Sequence, residues 1–217
     1  MKENCRLILV CFFLFALVSP LWAQNPGPYL GVYVGGQFLA PSESSDSLGT
    51  FNLEYQPAAP SGSVVLGWEL EPGSNIGEGR VELEYTRRRN RLDQAEFNDG
   101  KVSADGDVTA DSLLMNAFGV YRSSSIWTPY LGAGLGVARI SAADLNVTGQ
   151  TLSDDDALVF AYQFGVGADI AITDFLTLDL GYRLFNTTKA KLKEANGEEF
   201  KLEYLSHSAM LGLRLSF

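Results

Sequence analysis

The chain has 217 residues, with 26 acidic and 16 basic side chains, one histidine and two cysteines, and a formal charge of −10. One domain accounts for that length, and so acidic a balance excludes nucleic acid as a partner, which requires a basic face. Both cysteines, Cys5 and Cys11, fall within the first 23 residues. A mature chain beginning at residue 24 therefore has neither a disulfide framework nor a cysteine-ligated metal site.

Residues 1–23 read as a secretory signal peptide. Lys2 and Arg6 lead into the unbroken apolar run 7–18, and Ala23 supplies a small residue at the cut. That run would span only about 18 Å as a helix, short of a bilayer core of roughly 30 Å. Without the leader the chain keeps 25 acids and 14 bases, a net charge of −11, and all 22 glycines. Residues 24–217 are expected to form a single domain.

Along that domain the recurring signal is alternation. Residues 29–40 make a first, weak strand. Val64, Leu66, Trp68 and Leu70 then alternate with Ser63, Val65, Gly67 and Glu69, and Val81, Leu83 and Tyr85 with Glu82, Glu84 and Thr86. Residues 113–122 and 130–140 are weaker, and the first of them leaves its outward parity open. In 158–170 every even residue is apolar, while the odd residues from Ala161 to Asp169 are small or polar. Leu176, Leu178, Leu180, Tyr182 and Leu184 repeat the pattern against Thr177, Asp179, Gly181 and Arg183. The chain ends on Leu211, Leu213, Leu215 and Phe217 at odd positions. Only an extended strand converts a period of two into one apolar face.

Eight strands are expected. The stretches between them alternate in length: 41–60, 91–110, 142–156 and 188–199 are long, polar and mostly acidic, whereas 72–78, 123–127 and 172–174 are short. Long loops on one side and tight turns on the other describe an up-and-down meander inserted in one direction. The facing chemistry decides its solvent. A water-soluble sheet shows bulky charges on its polar face. Here that face is mostly Gly, Ala, Ser and Thr, which suits the cramped lumen of an eight-stranded barrel. Trp68, Phe175 and Phe217 fall at one rim and Phe38, Tyr85, Tyr162 and Tyr182 towards the other, as two aromatic girdles. The expected fold class is all-β, an eight-stranded antiparallel transmembrane barrel.

Two segments resemble a known family. Arg80-Val81-Glu82-Leu83-Glu84-Tyr85-Thr86-Arg87-Arg88-Arg89 and Thr128-Pro129-Tyr130-Leu131-Gly132-Ala133-Gly134-Leu135-Gly136-Val137-Ala138 are similar to strands of the small outer-membrane barrels of the opacity-type/OmpA-like porin superfamily. The closing Gly212, Leu215 and Phe217 are similar to that family's signal for the barrel-assembly machinery, with Met210 standing where a polar residue is usual. The resemblance implies a barrel in the outer membrane of a Gram-negative bacterium. It does not imply one activity, because the family is functionally diverse.

The residues that carry chemistry gather on the inward face. Glu69, Glu82, Glu84, Asp169 and Asp179 share the expected lumen with Arg88, Arg183 and Arg214. Buried charges must pair, so a structural network is expected there, with a gate or ion path as the functional alternative. His207 lies between Ser206 and Ser208, a hydrolase-like grouping. Strand parity points the histidine one way and both serines the other, so no catalytic residue is expected. The acids Asp99, Asp105, Asp107, Asp111, Asp154, Asp155 and Asp156 lack the spacing of a calcium loop, and Gly132, Gly134 and Gly136 lack a phosphate-loop context. No metal or cofactor is expected. Lys189, Lys191 and Lys193 form the one basic stretch, a solvated strand end or a contact to lipid phosphate.

The function expected from these readings is non-enzymatic: a surface barrel with acidic loops in a structural or adhesin-like role. The alternative is a narrow porin-like channel or small-solute transporter using the charged lumen. The expected partners are outer-membrane lipid and lipopolysaccharide, the barrel-assembly machinery, and a host or surface ligand held by the loops.

Overall fold

Strands dominate the computed structural model, which describes residues 26–45, 50–56, 58–70, 78–97, 100–122, 126–147, 150–193 and 199–217. The expected leader, the turn 72–77 and Asp99 lie outside the described residues. The strands are β1 (Pro28–Leu39), β2 (Ser42–Ser45), β3 (Thr50–Tyr55), β4 (Ala59–Glu69), β5 (Gly79–Phe97), β6 (Gly100–Val120), β7 (Trp127–Val147), β8 (Gln150–Ala171), β9 (Leu176–Thr187), β10 (Ala190–Lys193), β11 (Glu199–Leu202) and β12 (Leu205–Ser216).

Eight of them close a ring. β1 pairs with β4, β4 with β5, β5 with β6, β6 with β7, β7 with β8, β8 with β9, β9 with β12 and β12 with β1, every pair antiparallel. A closed ring leaves no unpaired edge, the condition for crossing hydrocarbon, where each orphaned backbone group costs several kcal/mol. The eight-stranded expectation holds. Parity resolves as well. Odd residues of β6 from Leu113 to Gly119 face outward and even residues inward, so Leu114, Phe118 and Val120 are lumenal.

Within the lipid belt the outward face carries no Asp, Glu, Lys or Arg on any of the eight strands. Leu66, Met115, Leu131 and Leu135, each at least 60 % exposed, are typical of it. Exposed Trp68, Tyr121, Trp127 and Phe175 mark the rim with the short turns. Phe38, Tyr85, Tyr162 and Tyr182 mark the other. Aromatic rings favour these levels because they are apolar in body and polar at the tip.

Beyond the second girdle the structure departs from expectation. About ten residues suffice to cross a bilayer, yet β5, β6, β7 and β8 have 19, 21, 21 and 22 residues. Much of 91–110 and 142–156, expected as loop, continues the barrel ladder. The hairpins β2–β3 and β10–β11 join this upper tier, β3 pairing with β5 and β11 with β2. The side-chain pattern inverts there. On β6, Lys101, Ser103, Asp105, Asp107 and Asp111 face outward while Val102, Ala104, Val108 and Ala110 turn in. Leu53, Leu92, Leu145, Leu192 and Leu202 complete a dry core with at most 1 % exposure. Outside the membrane the surrounding solvent is water, so the greasy side must turn inward. The acids that make these stretches look like loops are the outward half of an alternating strand.

Candidate functional site: the filled lumen

The lower lumen is built around Arg80, fully buried at the start of β5. Its Nε donates to Glu82 Oε1 at 2.7 Å, Nη1 to Asp169 Oδ2 at 2.7 Å and Nη2 to Asp179 Oδ2 at 3.2 Å. Asp169 and Asp179 are direct cross-strand partners on β8 and β9. Two carboxylates in that position repel, and the guanidinium bound to both removes the conflict. Arg214 adds a second donor to Asp169 at 2.6 Å.

Tyrosines complete the coordination. Tyr29 donates to Glu82 at 2.6 Å, Tyr33 to Asp179 at 3.2 Å, and Tyr130 to the other Asp179 oxygen at 2.6 Å. The Arg80 guanidinium also lies 4.1 Å from the centre of the Tyr130 ring, a cation–π contact that supplies further stabilisation in a desolvated site. These rings need glycine opposite them. A Cβ on Gly67 would strike Tyr29, one on Gly212 Tyr33, and one on Gly167 or Gly181 Tyr130.

Glu84 has a separate environment. Thr86, Asn116 and Gln163 donate to it at 2.7, 2.8 and 2.9 Å. Above it the dry core begins, with Leu114, Ile140 and Phe185 at its floor. This arrangement ties charge to charge and caps it with hydrocarbon.

A closed ring of strands, an outward belt without charge and two aromatic girdles are the features of a chain that crosses an outer membrane. A model of the outer membrane protein beta-barrel domain matches residues 8–217. The chain belongs to that family. It is similar to outer membrane protein PagN of Salmonella typhimurium (strain LT2), 25 % identical over 174 residues that cover 72 % of each chain. Among solved structures it is similar in fold to outer membrane protein OprG of Pseudomonas aeruginosa, with a TM-score of 0.55, 13 % identity and coverage of 90 % and 99 %. It is also similar to Neisserial surface protein A, at 0.52, 21 %, 88 % and 97 %.

As an outer-membrane barrel of a Gram-negative bacterium, the protein sets its sequence-expected residues as follows. Glu82, Glu84, Asp169, Asp179, Arg183 and Arg214 are buried in the lumen. Glu69 is not enclosed with them. It sits at the rim, its side chain 25 % exposed, between Arg214 at 3.7 Å and Arg122 at 3.5 Å. Arg88 is buried but lies apart from the carboxylates, stacked 4.0 Å over Phe185. The expected set omits Arg80 because the alternation becomes legible only from Val81. The Tyr29, Tyr33 and Tyr130 contacts are likewise invisible in a linear reading, since they join strands far apart in the chain.

His207 faces outward, stacked on Phe38 and hydrogen-bonded through Nδ1 to the Tyr182 hydroxyl, while Ser206 and Ser208 are buried in the lumen. Gly212 is lumenal beneath Tyr33, Leu215 pairs across to Leu30 and Leu176, and the Phe217 amide donates to the Pro28 carbonyl at 3.1 Å. On the upper exterior, Asp107 accepts from Arg89 at 2.7 Å and Asp156 from Arg139 at 2.9 Å. Those hydrogen bonds hold both carboxyls below the ordinary range for aspartate. Lys189 pairs with Glu203 at 2.7 Å, and Lys191 stands directly across from Lys201.

Proposed function

We propose that the protein is a non-enzymatic, non-conducting surface barrel whose upper tier presents a stiff, water-facing platform for contact outside the cell. The observation that carries this reading is the inversion of side-chain polarity above the girdle. It gives the extracellular part its own dry core and a largely polar exterior, as in a small soluble barrel mounted on a membrane anchor. A rigid framework that presents variable tips is a common basis for recognition.

The lumen charges are read as structural. Arg80 and Arg214 between them bind Glu82, Asp169 and Asp179, and three neutral donors hold Glu84, which argues against the narrow-channel alternative. A catalytic reading finds its one histidine on the wrong face. Residues 1–23 are proposed as the export leader, Gly212, Leu215 and Phe217 as the contact for the assembly machinery, and Lys191 with Lys201 as a contact for lipopolysaccharide phosphate.

The test uses intact cells that display the wild type or a variant with residues 46–49 and 148–149 replaced by short Gly-Ser segments. Binding to immobilised host or bacterial surface components should fall in the variant while its gel shift on heating is retained. Equal binding by both would refute the platform. Planar-bilayer recordings should show no stable conductance steps; mutant-sensitive steps would restore the channel reading.

A further inference from the structure

The chain has one histidine, His207, and its neighbours place it at the boundary between lipid and water. On the outward face of β12, Ala209, Leu211 and Leu213 lie below it against hydrocarbon, while Glu203 and Lys201 lie above it towards water. Its direct cross-strand partner on β1 is Phe38, and Tyr182 flanks it on β9. Both belong to the upper aromatic girdle, which marks the headgroup layer of the outer leaflet.

The ring is held in one orientation. Phe38 stacks on it with centroids 4.7 Å apart and planes 6° from parallel, and Nδ1 lies 2.5 Å from the Tyr182 hydroxyl. With Nδ1 committed to the tyrosine, Nε2 is the nitrogen left for a partner outside the protein. The side chains packed round the ring carry no charge: Phe38 from β1, Tyr182 and Leu184 from β9, Leu205 and Ala209 along β12. Tyr182 is the one titratable group among them, and Arg183 beside it is buried in the lumen. Among the described residues no carboxylate forms an ion pair with His207. Glu203, the acid on its own face of β12, is about 13 Å away along the strand and is held by Lys189 at 2.7 Å.

An imidazole changes its charge between about pH 5 and pH 8. While neutral, His207 accepts the Tyr182 O–H at Nδ1 and presents an N–H at Nε2. When it takes up a proton from water, Nδ1 becomes a donor to the phenol oxygen and the ring becomes a cation with no counter-charge inside the protein. A partly buried cation is costly unless an anion meets it. At that depth in the outer leaflet the anion is a lipid phosphate, and a hydrogen bond with an ionised partner is roughly twice as strong as a neutral one. We propose that His207 is a contact for a lipid phosphate of the outer leaflet, made through Nε2 and strengthened in acid, with Phe38 and Tyr182 as positioning residues. The site is independent of the surface platform and of the lysine contact proposed above.

The experiment uses the untagged protein, its histidine isotope-labelled at both ring nitrogens, refolded into vesicles of diphosphorylated lipid A and read by solid-state NMR. With one histidine in the chain, every ring-nitrogen signal belongs to His207. Samples are compared at about pH 5 and about pH 8. In acid, lipid phosphorus should dephase Nε2 more strongly than Nδ1, and the effect should weaken in the alkaline sample. Tyr182→Phe, which removes only the orienting hydroxyl, should even out the two nitrogens. In vesicles of a digalactosyl lipid, which has no phosphate, dephasing should vanish and stay absent when inorganic phosphate is added. In urea, the wild type should outlast His207→Gln in acidic lipid A vesicles, and the two should unfold together in alkali or in the galactolipid. No dephasing in acid, equal dephasing of both wild-type nitrogens, dephasing indifferent to pH, or its recovery with inorganic phosphate alone would each overturn the assignment.

Discussion

At the scale of single residues, Arg80 carries the most. Among the described residues it is the only group that touches Glu82, Asp169 and Asp179 together, so removing it leaves three buried carboxylates short of a partner. Breaking a buried pair by deleting one member costs about 3–5 kcal/mol. Arg80→Met should lower stability by at least that much, measured by urea unfolding in lipid vesicles followed through tryptophan fluorescence. A loss below about 1 kcal/mol, the scale of an exposed pair, would show that the network is incidental. Gly212 makes a second case. Its sequence reading is an assembly signal, whereas its place beneath the Tyr33 ring gives it a packing role as well. Gly212→Val should therefore impair folding even when the purified chain is refolded with no assembly machinery present, read as loss of the heat-dependent gel shift.

At the scale of elements, the same strand must satisfy two solvents, and the two halves should fail differently. Leu135 lies on β7 within the lipid belt and is 61 % exposed on the outer face. Leu135→Arg should cost about 2–4 kcal/mol, the penalty for a cation near the bilayer midplane. Leu145 lies farther along the same strand in the upper core, with no exposure. Leu145→Asp should open the upper tier to trypsin at Arg89, Arg91 and Lys101 while the membrane ring stays folded and still shifts on heating. Simultaneous collapse of both tiers would contradict two separate cores. Acid should also act on the upper tier first. Asp107 and Asp156 have folded pKa values below the ordinary aspartate range. Their pairing with Arg89 and Arg139 is therefore fully present above about pH 4 and lost as pH falls through the lowered values. Hydrogen exchange should show upper β5–β8 amides losing protection in that acid window before those of the lipid belt.

At the scale of the whole molecule, the barrel is a stack: a charged and hydrogen-bonded lower lumen under a hydrocarbon cap that continues beyond the membrane. Such a stack fits the proposed platform better than a pore. How much of it was legible beforehand follows from the range of each interaction. Alternation is local, so 158–170 and 176–184 announced strands and their outward faces. The inward carboxylates of β5, β8 and β9 were legible for the same reason. In 113–122 both parities are apolar because Leu114 and Phe118 belong to cores inside the ring, and nothing within the segment separates them from Leu113 and Met115. In 91–110 the alternation was present but read as loop, since its apolar half is mostly small valines and alanines and its polar half is acidic.

By itself the sequence determined the number of strands in the ring and the membrane-facing surface, both of which rest on hydrophobic patterning between near neighbours. Only the tertiary structure decided which charges meet, that Arg80 and the three tyrosines bind the carboxylates, and that the upper strands pair into a second dry core. Those depend on register between strands up to 146 residues apart, as for Tyr33 and Asp179, and register is set by closure of the whole ring rather than by any segment of it.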